Sequence, residues 1–271
     1  MALAAPAREV PVLKAVAFDM DDTLLSINLS AFIAVMAFDE SRLLADIARR
    51  NPLSAFAAYT GAVLELNGNA VEDGDASTNR ERFERSIERR LGVPLSDPVV
   101  TDVFEYYERE VMPGKNDAVI AARPKRGARA AIDAVLSRGL KIALLTNPCF
   151  SQACIECRMS WGDLSDVPFE RVSTWDNSTR CKPSTTYYLE HLDAMGLEPQ
   201  EVLMVGNDSR RDFPAPDCGL QTAYIGAMRP VRATWSGSIE DFADSFNEIE
   251  ERFYERQERD LVDIVQDVDR R

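Results

Sequence analysis

The chain has 271 residues, of which 45% are hydrophobic and 28% charged, and its net charge is −14. This composition is typical of a soluble globular protein with one large domain or two modest ones. The negative charge argues against nucleic acid as a partner, because a phosphate backbone requires a basic surface.

The first 14 residues, MALAAPAREVPVLK, lack the basic flank and the long apolar run of a signal peptide. No stretch reaches the ~18 consecutive apolar residues of a membrane span. We therefore expect a cytoplasmic protein with no membrane partner.

The five cysteines are odd in number and unevenly spaced, which favours reduced thiols over a disulfide framework. Cys154 and Cys157 form a CxxC within a helical pattern. No second CxxC and no nearby histidine completes a zinc site.

Short apolar runs in the sequence predict the strands of a sheet. They lie at 14–18, 141–147, 201–207 and 221–226, with a weaker run at 171–175. Helical patterns at 127–139 and 183–196 alternate with them, and each ends at a glycine. Near-continuous apolar strands that alternate with helices predict an α/β doubly wound, Rossmann-like parallel sheet that is covered on both faces.

Residues 28–121 interrupt this alternation. They contain no convincing strand but four amphipathic stretches, at 29–50, 52–67, 78–91 and 97–111, and Thr78 with Glu81 resembles a capping box. We therefore expect an all-helical domain at 28–121, inserted into an α/β core formed by residues 1–27 and 122–271.

The end of the chain carries a long helical pattern from Ile239 onwards. Its apolar residues recur at spacings of three and four and form one stripe: Ile239, Phe242, Phe246, Ile249 and Phe253. We interpret this stripe as packing on the flank of the sheet. A dimerisation seam is the alternative, so both a monomer and a homodimer stay open.

Polar residues follow the predicted strands at their carboxyl ends, where the active site of a parallel sheet lies. The set consists of Asp19, Asp21 and Asp22 after the first strand, Thr146 and Asn147 after the second, Lys182 in a later loop, and Asn207, Asp208 and Asp212 after the fourth. Clustered carboxylates suit Mg²⁺, which takes oxygen ligands and often a substrate phosphate, and a lysine and a hydroxyl suit phosphate oxygens. A carboxylate nucleophile that forms an aspartyl-phosphate fits this set.

Four short segments resemble the motifs of the haloacid dehalogenase (HAD) superfamily, in the family's order. FDMDDTLL resembles the first motif, DxDxT after a hydrophobic strand, and IALLTN the second, whereas CKPS resembles the third and VGNDSRRD the acidic fourth. The resemblance covers residues 12 to about 226. It implies a HAD-like core, and the helical insertion looks like a type C1 cap that closes over the site.

The resemblance also implies roles for individual residues. Asp19 would be the nucleophile and Asp21 the general acid. Mg²⁺ would bind the Asp19 carboxylate, the backbone carbonyl of Asp21, and Asp208. Phosphate oxygens would contact Thr146, the Asn147 backbone and Lys182, whereas Asp212 would orient either the water shell of the metal or Lys182.

The expected activity is a Mg²⁺-dependent phosphatase that acts on a small phosphorylated metabolite. Asp21 favours a phosphatase over a 2-haloacid dehalogenase, because halide leaves without an acid. A phosphomutase and a non-catalytic binding protein with the same fold are further alternatives.

Several details of the motifs stay open. Asp22 is interpreted as a turn residue, and Asn207 competes with Asp208 for the metal. Pro214 and Pro216 predict that the helix after the fourth motif is short or begins late. Arg180 is interpreted as a surface arginine, with a second phosphate contact as the alternative, and Arg123 near the end of the insertion could reach an anionic substrate.

Overall fold

The structure is a computed structural model that describes residues 11–69, residue 71 and residues 74–269, with side chains up to residue 259. The strands in this part of the chain are β1 (Ala15–Phe18), β2 (Leu25–Ser26), β3 (Arg123–Pro124), β4 (Lys141–Leu144), β5 (Arg171–Val172), β6 (Val202–Gly206), β7 (Gln221–Ile225) and β8 (Trp235–Gly237). Six of them form a sheet in the order β5-β4-β1-β6-β7-β8. All pairs in this sheet are parallel, which confirms the predicted fold class.

Helices cover both faces of the sheet and also build the inserted block. They are α1 (Leu29–Ala48), α2 (Pro52–Asn67), α3 (Asn79–Leu91), α4 (Pro98–Tyr106), α5 (Ala128–Leu136), α6 (Gln152–Trp161), α7 (Thr185–Ala194), α8 (Ile239–Phe242) and α9 (Phe246–Asp269). No helix in the described ranges is both long and apolar enough to cross a membrane.

The central strand β1 shows why its sequence is apolar at every position. Its side chains alternate between the two faces of the sheet. Val16 and Phe18 belong to the main core cluster, whereas Ala15 and Ala17 pack in a second cluster that contains Tyr187 of α7. Both faces are therefore buried, as expected for a doubly wound sheet.

All five predicted strands are present, and the three missed strands are very short. β2 and β3 have two residues each and pair in antiparallel fashion, Leu25 with Pro124 and Ser26 with Arg123. β8 has three residues. Such runs are too short for a hydrophobic period, so the sequence pattern does not reveal them.

The β2–β3 pair lies where the chain leaves the sheet and where it returns. Between these two strands, the described residues contain helices and loops only. The division into a core of residues 1–27 and 122–271 and a cap of residues 28–121 stays a prediction.

The four helices predicted in the insertion are present, with one correction at the last. The capping box of Thr78 and Glu81 forms at the start of α3. The stretch predicted at 97–111 is helical from Pro98 to Val111, but it is not a regular α-helix throughout: α4 ends at Tyr106 and continues as one π-helical turn, followed by a 3₁₀ turn at Met112–Lys115. Pro113 lacks the backbone N–H that a continuing α-helix requires.

The apolar stripe at the end of the chain packs on the sheet. Phe242 lies edge-on to Phe18 at 5.8 Å between ring centroids. All five stripe residues are buried in the main core cluster, which confirms flank packing and leaves the stripe unavailable as a dimer seam. The helix is broken between Phe242 and Phe246 into α8 and α9, so the single long helix is wrong.

A buried pair of acidic residues lies where α1 and the π-helical turn meet the core. Glu108 accepts a hydrogen bond from the Ser151 hydroxyl at 2.6 Å, and Ser151 also caps α6. Burial raises the pKa of Glu108 to about 7. Burial, with a further contribution from Glu108, raises the pKa of Glu40 well above its usual range.

Glu108→Gln should remove a pH-dependent loss of stability. The folded-state pKa of Glu108 lies above its unfolded value, so its contribution to stability is complete below about pH 4.5 and is lost as the pH rises through 7. Glutamine keeps the acceptor for Ser151 but carries no charge. We expect Glu108→Gln to be more stable than the wild type by roughly 1–3 kcal/mol at pH 8, with no gain at pH 4. Urea denaturation at both pH values measures this difference, and an equal gain at both would contradict the assignment.

Candidate active site

The candidate site lies at the carboxyl ends of β1, β4 and β6, which are neighbours at the centre of the sheet. A cavity of about 540 Å³ opens between these strand ends and helices α1 and α2. All seven predicted site residues line it, namely Asp19, Asp21, Thr146, Asn147, Lys182, Asp208 and Asp212. Their meeting in one cavity follows from the parallel order of the strands, which brings equivalent strand ends to one edge.

Lys182 is the buried cation of the site. Its ammonium group donates to Asp19 Oδ1 at 2.9 Å and to Asp212 Oδ1 at 2.7 Å, and the residue is 2% exposed. Although burial by itself lowers it, the two carboxylates raise the pKa of Lys182 well above its usual range. Lys182 therefore stays charged, and it offsets the repulsion between Asp19 and Asp212.

Asp212 is held from two sides. Besides Lys182, its carboxylate accepts the backbone N–H of Asp208 at 2.9 Å. Burial raises its pKa to about 6, against the effect of Lys182. The Asp212 carboxylate lies so close to the end of β6 that a Cβ atom on Gly206 would be only 2.2 Å from Asp212 Oδ2. Glycine at the end of β6 is thus required for the position of Asp212.

Thr23 is a positioning residue that the sequence reading did not single out. Its hydroxyl lies 3.1 Å from Asp19 Oδ2 and 3.2 Å from Asn207 Oδ1. Because Thr23 and Lys182 contact different oxygens of Asp19, they fix the plane of that carboxylate. The signal for Thr23 was present in the DxDxT pattern itself.

Asp21 is paired with a second buried cation, Arg158 of α6. The guanidinium Nη1 donates to Asp21 Oδ2 at 2.5 Å, and the arginine side chain has no exposed surface. It stacks on Phe150 at 4.4 Å and on Phe32 of α1 at 5.4 Å from the ring centroids. Burial raises the pKa of Asp21, although Arg158 opposes the shift. The sequence carried no signal for Arg158, because one arginine in a helix is usually exposed.

Two contacts, one from the second motif and one from the fourth, join the strand ends to helix α2. Asn147 Nδ2 donates to Asn67 Oδ1 of α2 at 2.9 Å, and Arg211 Nη1 donates to the same oxygen at 3.2 Å. Arg211 is exposed and lines the cavity. Thr146 is buried, and its carbonyl accepts from the Tyr187 hydroxyl at 2.7 Å. Arg211 and Asn67 were not predicted as site residues.

The open details of the motifs have the following outcomes. Asp22 is exposed with a φ of 57°, as a turn residue would be. Arg180 is half-buried, donates to the backbone carbonyl of Asp75 at 3.3 Å and does not line the cavity. Arg123 is exposed and does not line the cavity. After the fourth motif, only a 3₁₀ turn at Pro216–Cys218 forms, as the two prolines predicted.

All five cysteines are free thiols and are buried. Cys149 and Cys181 lie close to the site, with 3.3 Å between their sulfur atoms. Burial raises the pKa of Cys154 well above its usual range and that of Cys157 to about 12. The two cysteines of the CxxC are therefore protonated thiols that pack in the protein interior.

The parallel sheet, the inserted helices and the carboxylates at the strand ends define a hydrolase of the haloacid dehalogenase type. The chain matches the family model for haloacid dehalogenase-like hydrolases over residues 13–216. It belongs to this family.

Three relatives are similar to the chain. N-acetylmuramic acid 6-phosphate phosphatase from Pseudomonas aeruginosa is 25% identical over 232 residues, which are 84% of this chain and 89% of the relative. The structure of a HAD phosphatase from Thermococcus onnurineus superposes with a TM-score of 0.54 at 17% identity, over 86% of this chain and 98% of that one. The structure of L-2-haloacid dehalogenase from Xanthobacter autotrophicus superposes with a TM-score of 0.50 at 16% identity, over 87% of this chain and 99% of that one. At these identities the two structures establish the fold, and the fold alone does not distinguish the two chemistries.

Asp21→Asn should destabilise the protein, because it leaves the buried Arg158 cation without a carboxylate. Loss of one partner of a buried ion pair costs about 3 kcal/mol or more. Asp22→Asn is the matched control: Asp22 is exposed and its left-handed backbone suits asparagine, so we expect a change within about 0.5 kcal/mol. Urea denaturation compares the two variants.

The double variant Asp21→Asn/Arg158→Met should recover most of the stability lost in Asp21→Asn, since it removes the unpaired cation. Equal stability of Asp21→Asn and Asp22→Asn would contradict the ion pair.

Proposed function

We propose that the protein is a Mg²⁺-dependent phosphatase that hydrolyses a small phosphorylated metabolite through an aspartyl-phosphate intermediate. The observation that carries this proposal is the Asp19 carboxylate, which lines the cavity while Lys182 and Thr23 hold its two oxygens. A fixed carboxylate beside a permanent cation is suited to attack on a phosphate dianion, whose charge would otherwise repel it.

In the first step a carboxylate oxygen of Asp19 bonds to phosphorus and the ester P–O bond breaks. The leaving oxygen takes a proton from Asp21. Lys182 offsets the charge that Asp19 and the phosphoryl group share, and Thr146 and the Asn147 backbone hold phosphate oxygens. In the second step Asp21 takes a proton from water, the water oxygen bonds to phosphorus, and the acyl P–O bond breaks to release phosphate and restore Asp19.

The surroundings of Asp21 support its assignment as the acid. Burial raises its pKa towards the range in which a carboxyl group can both give and take a proton. Arg158 opposes this shift and stabilises the carboxylate that remains after the proton has left. Asp21 thus has a partner for its ionised form.

The oxygen-rich end of the cavity fits Mg²⁺. Within the described ranges, no three or more His, Cys, Asp and Glu side chains come together as a metal site. Mg²⁺ does not need such a set, since it is usually held by one or two carboxylates, waters and a substrate phosphate. Asp19, Asp208 and the Asp21 carbonyl would hold it, and the ion would add positive charge beside the phosphoryl group.

Asp208 is a better candidate ligand than Asn207. Asn207 offers an uncharged amide oxygen that lies 3.2 Å from the Thr23 hydroxyl, whereas Asp208 offers a carboxylate, the kind of ligand that holds Mg²⁺. Asp208 Oδ1 accepts the backbone N–H of Arg210, and the side chain faces the same cavity as Asp19. We therefore keep Asp208 as the metal ligand and Asp212 as the residue that orients Lys182.

The alternatives are weaker on chemical grounds. A 2-haloacid dehalogenase needs no acid at Asp21, because halide is a good leaving group. A phosphomutase would use the same residues but would return the phosphoryl group to an intermediate. The Pseudomonas aeruginosa relative is named as a phosphatase of a phosphorylated sugar derivative, which supports hydrolysis of a small phosphorylated metabolite. We propose a cytoplasmic enzyme that acts as a monomer or a homodimer.

Asp19→Asn should abolish the hydrolysis of p-nitrophenyl phosphate in the presence of Mg²⁺, with a loss of about a thousandfold or more in kcat. The amide is a poor nucleophile, although it has nearly the shape of the carboxylate. Asp102→Asn is the control, because Asp102 is exposed on α4 and does not line the cavity, and it should stay within about twofold of the wild type. EDTA should remove the activity and added Mg²⁺ should restore it. Retained activity in Asp19→Asn would end the proposal.

A further inference from the structure

The cavity has two walls of opposite character. The core side consists of the carboxylates, Lys182, Thr146 and Asn147, whereas the cap side is formed by α1 and α2. Residues 29–38 of α1 and 52–64 of α2 contain no charged side chain, in a chain of which 28% is charged. The cap side presents six large side chains to the cavity: Leu29, Ile33, Met36, Tyr59, Val63 and Leu64.

The few polar groups on the cap side are already engaged within the protein. The Thr60 hydroxyl donates to the Phe56 carbonyl at 2.8 Å, inside its own helix. Asn67 donates to the Val63 carbonyl at 3.0 Å, and its side-chain oxygen accepts from Asn147 and Arg211. Tyr59 is buried, and its ring packs edge-on against Phe83 at 5.5 Å between ring centroids. Among these described residues, the cap side therefore offers a bound molecule mainly apolar contact.

This wall selects against hydroxyl-rich substrates. A hydroxyl group placed against Ile33, Met36 or Val63 would lose its water and gain no partner there, which costs free energy. A hydrocarbon or aromatic group in the same place would be removed from water against matching apolar surface, which is favourable. The cavity volume of about 540 Å³ is in the range of small-molecule sites.

We propose that the substrate is a phosphate monoester whose organic part is a compact apolar group, an aliphatic or aromatic ring, rather than a hydroxyl-rich sugar. This inference rests on the proposed phosphatase activity and names its substrate class. The apolar group contacts α1 and α2, while the phosphate lies at the strand ends. The substrate class thus differs from the phosphorylated sugar derivative in the name of the Pseudomonas aeruginosa relative.

The direct test compares cyclohexylmethyl phosphate with glucose 6-phosphate. Both carry the phosphate on a primary carbon attached to a six-membered ring, so they differ mainly in hydroxyl groups. We expect kcat/KM to be at least about tenfold higher for cyclohexylmethyl phosphate, because a hydrophobic pocket rejects an analogue that adds hydroxyl groups by about ten- to a hundredfold. Equal or faster turnover of glucose 6-phosphate or N-acetylmuramic acid 6-phosphate would overturn the inference and leave the phosphatase proposal intact. Failure to hydrolyse any phosphate ester, p-nitrophenyl phosphate included, would overturn both.

Ile33→Gln tests the cap wall itself. Glutamine is close in size to isoleucine but carries an amide that extends beyond the carbonyls of its own helix and adds a polar group to the cavity surface. We expect the preference for cyclohexylmethyl phosphate to fall by about three- to tenfold, chiefly through KM. Leu53→Gln is the matched control, since Leu53 is 79% exposed on α2 and does not line the cavity, and it should leave the ratio unchanged. An unchanged ratio in Ile33→Gln would contradict the assignment of this wall to substrate binding.

Discussion

The site depends on one buried ammonium group, that of Lys182. It lies between Asp19 and Asp212, within 2.9 Å of one carboxylate and 2.7 Å of the other. Two buried carboxylates at this separation would otherwise repel each other and lose hydration without compensation. Three segments of the fold position these groups. Asp19 follows β1, Gly206 at the end of β6 leaves room for Asp212, and Lys182 lies in the loop before α7. The strand order places β1 and β6 side by side, and the Lys182 side chain reaches both aspartates from its loop.

A second buried cation separates the two aspartates of the first motif. Asp21 is paired with Arg158, whereas Asp19 is paired with Lys182. The two carboxylates therefore have different surroundings although only one residue lies between them, which is what a nucleophile and a proton donor require. Arg158 also stacks on Phe32 of α1. Asp21, the proposed proton donor, is thus connected through Arg158 to the helix that forms the apolar wall of the cavity.

Local sequence patterns were enough to predict the strands and the site residues that lie in short motifs. Strand ends and the motif residues Asp19, Thr146, Lys182 and Asp208 could be placed, because a parallel sheet gathers its strand ends at one edge. Arg158 could not be found, since its partner Asp21 lies 137 residues away in the chain. The break between Phe242 and Phe246 was also missed, because the apolar period continues through it. The residues of α1 and α2 that line the cavity could not be distinguished from core residues, since both follow the same helical period.

The central claim is that Asp19, held by Lys182, becomes covalently phosphorylated. It is tested most directly by adding sodium borohydride to the protein during turnover of a phosphate ester, since borohydride reduces an acyl phosphate to an alcohol. Peptide mass spectrometry should then find homoserine at position 19, and no such change when the ester is omitted. Intact Asp19 in protein that is releasing phosphate at its full rate under the same trapping conditions would contradict the account.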